Sequence, residues 1–276
     1  MLLGMYLDQL LGLMAVGTKK GNFMFDLRDG YSTISACNLE PLLELRSKIH
    51  ALICQEFGIE VGDIETSLNG FHKHITSYSL GEFNKKRVGL IQRISAEVDT
   101  GGLIFTAFEN SITKIIGPDI LVQKGCNLVL QPPLDPNPSE LHRDTPANSP
   151  YELVVWVPLV NAYATKAMYI LTAEDTKKAF DFLDKSPLKW DEFEKKCKSL
   201  SRICTVEFGK ALIFNASLLH GSEINNESET RVSLNIRYKN LFSPSGFKNQ
   251  LQLFKPIRVS DFARIGGEVE MRDLLK

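Results

Sequence analysis

The sequence predicts an α+β protein with a mainly β core. Helices come first, a β sandwich or barrel follows, and a helical insertion interrupts it. Three observations carry this reading. Between residues 39 and 116 apolar positions recur at helical spacing. From residue 127 the apolar runs become short, with turn signals such as Gly209-Lys210 and Asn225-Asn226 between them. Residues 173–200 are charged, with helical spacing, and lie between two strand-like runs.

The elements follow in order. Met1 to Val16 is mostly apolar, but no positive charge precedes its apolar core and the run is too short to span a bilayer. It reads as a helix packed on the body or on a partner. Asp29-Gly30-Tyr31 to Ile34 reads as a turn into a short strand. Leu39, Leu42, Leu43, Leu45, Ile49, Leu52, Ile53 and Phe57 mark a helix over 39–57. Residues 83–97 and 103–116 follow as helices, the second stopped by Gly117-Pro118-Asp119. Asn127 to Gln131 is a strand. A proline-rich stretch from Pro132 to Pro150 reads as a long functional loop. Leu153–Val157 is a buried strand, 167–171 another, and 203–207, 211–214, the His220 region and 230–238 complete the set. The segment from Pro256 reads as an edge strand plus a covering helix. No linker or repeat divides the chain. It reads as one domain, with a helical part over 1–123, the β core over 124–245 and a cover over 246–276.

Composition narrows the partners. The 276 residues are 43% hydrophobic and 24% charged, with a formal net charge of −1. That is an ordinary globular balance, without the basic field that nucleic acid would call for. Five scattered cysteines with no CxxC pair suggest neither a zinc site nor a disulfide framework, which fits a reducing cytoplasm.

The chemistry is concentrated in a few residues. His142 and Asp144 are two apart, so on an extended strand they share a face. His220 is the candidate third ligand. Two imidazoles and one carboxylate, with positions left open, form the facial triad of non-haem Fe(II) oxygenases. Each residue alone would pass for a surface polar group or a satisfied core histidine. Arg231 follows His220 by 11 positions, and its planar fork suits a bidentate carboxylate. Ser233 shares its strand face and can donate a hydroxyl to the same group. Asn235 and Arg237 continue that face, with Arg237 either a second anion partner or a substrate contact. Gln131 shares a face with Asn127 and Val129, and its amide can point into the barrel. Trp156 reads as core. Lys166 reads as a solvated lysine. His72 and His74 read as a loop pair away from the metal. Asn84 to Arg87 reads as a solvated helix face.

His142-Arg143-Asp144, His220-Gly221-Ser222 and Arg231-Val232-Ser233 resemble the Fe(II)/2-oxoglutarate-dependent oxygenases. The resemblance is to the phytanoyl-CoA-dioxygenase-like branch, which includes members from antibiotic and carbohydrate biosynthesis clusters. It implies a double-stranded β-helix (jelly roll) for the β core. It implies Fe(II) on His142, Asp144 and His220, with 2-oxoglutarate as cosubstrate and its far carboxylate on Arg231. Thr165 matches a place where this branch holds the cosubstrate. The reaction implied is hydroxylation, by dioxygen, of a small polar metabolite such as a sugar or sugar-derived unit. Asp144 argues against halogenation, because halogenating relatives carry a small residue there. The alternatives are a cupin-type metal enzyme without 2-oxoglutarate and a jelly-roll binding module without turnover.

Overall fold

The computed structural model describes residues 28–145, 147–185, 189–245 and 250–274. The helix expected over Met1 to Val16 lies outside the described residues. Two antiparallel sheets form the body. The larger has the order β1-β7-β4-β9-β2-β10, with β3 also paired to β9, and the smaller has the order β6-β5-β8.

The helical part precedes the sheets, after one edge strand. Strand β1 (Tyr31–Ser35) leads into helix α1 (Glu40–Phe57), which opens on Pro41 and ends at Gly58 in the left-handed conformation, φ 66°. Helix α2 (Ile64–Asn69) and a 3₁₀ turn (Phe71–His74) follow. Helix α3 (Leu80–Glu97) starts with a capping box between Ser79 and Glu82. Helix α4 (Thr100–Ile116) is capped by Asp99 and lies on the large sheet. Gly101 permits that approach, since a Cβ there would meet Val122 Cγ2 at 2.7 Å. Tyr238 donates its hydroxyl to the Gly101 carbonyl at 2.8 Å. The helices expected over 39–57, 83–97 and 103–116 are present, and α3 and α4 start a turn before their apolar patterns do.

Strands β2 (Ile120–Gln123), β3 (Asn127–Gln131) and β4 (Glu152–Pro158) come next. Strand β5 (Met168–Ile170) precedes helices α5 (Ala173–Lys185) and α6 (Trp190–Leu200), which fill the expected insertion. Then come β6 (Arg202–Cys204), β7 (Lys210–Asn215), β8 (His220–Ser222) and β9 (Arg231–Asn240). A single helical turn, α7 (Gln250–Leu253), leads to β10 (Phe254–Arg258) and α8 (Asp261–Leu274).

Strand β9 organises the site, because it pairs with β2, β3 and β4. Its alternation is strict. Val232, Leu234, Ile236 and Tyr238 join the core beneath the helices. Arg231, Ser233, Asn235 and Arg237 therefore face the opposite way, between the sheets. On β4 the same rule sends Leu153, Val155 and Val157 to the helices, and Val154 and Trp156 to the intersheet cluster with Met168, Ile170, Leu212 and Phe214. Trp156 is core, as its sequence context suggests.

Strand β10 is an edge strand on β2, a place where proline is tolerated, and its register shifts between Pro256 and Arg258. Among the described residues, nothing packs on the apolar side chains of helix α8. Phe262 is 90% exposed, and Ile265 and Val269 are also exposed. Among the described residues no helix is long and apolar enough to cross a membrane.

Candidate metal centre

The two histidines meet through an isolated antiparallel bridge. The N–H of each donates to the carbonyl of the other at 2.9 Å. The bridge places their rings 4.3 Å apart. His142 Nδ1 lies 2.8 Å from the Glu140 carbonyl and His220 Nδ1 2.9 Å from the Leu218 carbonyl. A carbonyl only accepts, so both Nδ1 atoms carry the proton. Both Nε2 atoms are thereby left as lone-pair donors, the arrangement that metal-binding imidazoles require.

Asp144 is fixed by its backbone, whose N–H donates to Ala216 at 3.0 Å. Its Oδ1 lies 4.0 Å from His142 Nε2. The ligand atoms of His142, Asp144 and His220 all fall within 4.8 Å of one another. Facial ligands at about 2.0–2.2 Å from a first-row cation stand about 3 Å apart, so the three side chains would close by about 1–2 Å to share one ion. The donor set, two imidazole nitrogens and a carboxylate without thiolate, fits Fe(II). His220 is buried, 4% exposed, against the edge of the Phe214 ring at 4.8 Å. Burial, then the neighbouring His142, lowers its pKa to about 4. It is therefore neutral at pH 7 and does not have to lose a proton before binding a metal.

Arg231 opens β9, opposite Gln131 on β3. It is 4% exposed. Its Nη1 donates to the Ala167 carbonyl and its Nη2 to Ser222 Oγ, both at 3.3 Å. Its Nε is buried without a partner, and so is Ser233 Oγ. Among the described residues Arg231 forms no ion pair with a carboxylate. Burial lowers its pKa to about 10, so it remains charged at neutral pH. A buried cation with one idle donor and an idle hydroxyl on the same strand face is an incomplete arrangement that an anion would complete. Ser222 gives its position. It lies two residues beyond His220 on β8, hence about 6.6–6.8 Å along the same strand face.

The other expected contacts lie elsewhere. The Gln131 amide donates one N–H to the Glu223 carbonyl at 2.8 Å and its Oε1 is buried without a partner, so it braces the end of β8. Thr165 donates its hydroxyl to Glu227 at 2.6 Å and accepts from the Asn226 N–H at 2.9 Å. That hydroxyl ties a loop down. Lys166 is not solvated: it is 0% exposed and donates to Asn69 Oδ1 at 2.7 Å and Glu229 Oε2 at 2.8 Å. His72 lies in the 3₁₀ turn and contacts Thr230 Oγ1 through both its backbone N–H and its Nδ1. These contacts pin the helical part to the loop that precedes Arg231. Lys86 folds back onto the Glu56 carbonyl at 2.7 Å and is not part of the site.

Two residues near the centre had no assigned place in the sequence. Ser222 shares a strand face with His220, so its contact with Arg231 follows from period-two spacing. Glu152 is buried at the start of β4, and its pKa is raised, mainly by burial. Nothing in its local sequence marks it.

No family model matches the chain, and no curated protein matches it. Solved structures do. The non-haem monooxygenase ThoJ in its nickel complex superposes with a TM-score of 0.50 at 15% identity, covering 86% of this chain and 83% of that one. Apo ThoJ gives 0.50 at 16% identity, covering 85% and 82%. EctD from S. alaskensis, in its apoform, gives 0.49 at 12% identity, covering 84% of each. The fold is that of the non-haem oxygenase ThoJ.

Proposed function

We propose that this protein is an Fe(II)- and 2-oxoglutarate-dependent dioxygenase acting on a small polar metabolite. Its two sheets are then read as a double-stranded β-helix. The observation that carries the reading is Arg231. A buried guanidinium that pairs with no carboxylate among the described residues stands about one two-residue strand step from the His142, Asp144 and His220 cluster. That step matches the reach of a short dicarboxylate with one end at the metal and the other on the guanidinium. The names of two solved neighbours of the same general fold point the same way, since ThoJ is called a non-haem monooxygenase in both forms.

Bound Fe(II), with 2-oxoglutarate and dioxygen, supplies the oxidising power that breaks a substrate C–H bond. The chain's residues do the rest. His142 and His220 present Nε2 in one tautomer, and Asp144 contributes the single negative ligand. Arg231 and Ser233 hold the far carboxylate of the cosubstrate. Val154, Trp156 and Phe214 keep the intersheet space apolar and dry. Asn235, with Asn127 opposite it on β3, lies on the open part of the same face and gives amides for a hydroxyl-rich substrate. A sugar or sugar-derived unit is the class this face suits.

A cupin-type enzyme without 2-oxoglutarate would leave Arg231 with no anion to bind, and a binding module would not need the converging triad. The test is succinate formation by Fe(II)-loaded protein given 2-oxoglutarate and oxygen. Iron-dependent succinate supports the reading, and iron binding without succinate favours the cupin-type alternative.

A further inference from the structure

The structure assigns Arg237 the role of a positioning residue that clamps the ligand carboxylate Asp144. This rests on the reading of Asp144 as a metal ligand. Arg237 lies on the β9 face that also carries Arg231 and Ser233, and its fork closes on both oxygens of Asp144. Nε reaches Oδ2 at 3.1 Å and Nη2 reaches Oδ1 at 3.0 Å. The fork is itself held, with Nη1 donating to Gln123 Oε1 at 3.3 Å and Nε 3.8 Å from Glu152 Oε2. Strands β2, β4 and β9 thus all bear on the orientation of one carboxylate.

The consequence follows from lone pairs. A carboxylate oxygen has two, and the fork takes one from each. Oδ1 is the oxygen that faces His142 Nε2. Each oxygen keeps one lone pair, and the fork fixes the carboxylate so that Oδ1, the oxygen turned toward His142, is the one it would offer to a shared ion. Arg237 also sits between two buried carboxylates, Asp144 and Glu152, which would otherwise repel each other across a poorly solvated gap. Arg237 is therefore committed to the protein and is not a free anion partner for a substrate.

Coulomb repulsion alone gives the opposite expectation. A guanidinium beside a divalent ion repels it, so removing Arg237 would tighten metal binding. Loss of an outer-shell partner that orients a ligand weakens binding by about 10–100-fold. The sign of the change separates the two. The experiment is equilibrium dialysis of manganese(II) against the full chain, wild type and Arg237→Gln, with cobalt(II) absorption as a second readout. The clamp predicts weaker binding by about 10–100-fold and an altered cobalt spectrum, with no further loss when Arg237→Gln is added to Asp144→Ala. Equal or tighter binding in Arg237→Gln overturns it. If Arg237→Gln does not fold, Arg237→Lys is read the same way, because it keeps charge and stem but loses the fork. Wild-type protein that binds no manganese would overturn the metal-centre reading itself, whereas wild-type binding that Arg237→Gln leaves intact would overturn the clamp alone.

Discussion

His142 and His220 form a reciprocal backbone pair, with each N–H on the other's carbonyl at 2.9 Å. Residues 78 positions apart in the chain are therefore placed by main-chain hydrogen bonds, independently of any metal. The centre is preformed to that extent, and its side chains can be removed without dismantling it.

This gives the first prediction. His142→Ala, Asp144→Ala and His220→Ala should each lower divalent-metal affinity sharply. His142 is exposed, so His142→Ala should leave the unfolding free energy nearly unchanged. His220→Ala also removes a buried ring packed on Phe214, and should cost about 2–4 kcal/mol. Dialysis with manganese(II) and urea denaturation measure the two effects. Full affinity in Asp144→Ala would contradict the ligand assignment.

The second concerns pH. His220 has a folded pKa of about 4 against an ordinary 6.5, so between these values the unfolded chain binds a proton that the folded, metal-free protein refuses. Its contribution to stability is complete above about pH 6.5 and falls away toward pH 4, with a slope of up to about 1.4 kcal/mol per pH unit. Urea midpoints of metal-free protein across this range should show the decline. His220→Phe should flatten it, and an unchanged slope in that variant would assign the decline to other groups.

How far the sequence led depended on the range of the interactions. The alternation of β9 is local, so Arg231, Ser233 and the inner face were legible from period-two spacing. So was the same-face pair His142 and Asp144, because both lie in one short stretch. Lys166 was misread because its partners, Asn69 and Glu229, are 97 and 63 residues away. Thr165 has the same difficulty, with its partner Glu227 at a separation of 62 residues. Strand β2 follows the Gly117-Pro118-Asp119 stop so closely that its four residues carry no period of their own. Helix α8 has the apolar pattern of a packed element, yet Phe262, Ile265 and Val269 stay exposed. Pattern reports the capacity to bury a face, and the fold decides whether it is buried.

The third prediction tests that long-range network. Lys166→Met keeps the volume of a fully buried side chain but removes the ammonium from Asn69 and Glu229. Glu229 is partly exposed and can be resolvated, so the expected loss is about 1–3 kcal/mol, below that for a fully buried pair. Chemical denaturation reads the loss. Because the same loop leads into Arg231, cosubstrate affinity should fall with it, and an unchanged stability would mean that Lys166 is not part of the pin.

The central claim is that Arg231 holds the far carboxylate of 2-oxoglutarate, and an anaerobic titration tests it most directly. The Fe(II) protein is titrated with 2-oxoglutarate while the visible charge-transfer band is followed, in wild type, Arg231→Lys and Arg231→Ala. Loss of a charge-assisted bidentate contact is worth about 1.5–3 kcal/mol, or about 10–150-fold in the midpoint. Arg231→Lys should fall between the other two, because it keeps the charge without the fork. Iron affinity should be unaffected, since Arg231 contributes no ligand atom to the cluster. A band that forms at the same midpoint in Arg231→Ala as in wild type would contradict the account.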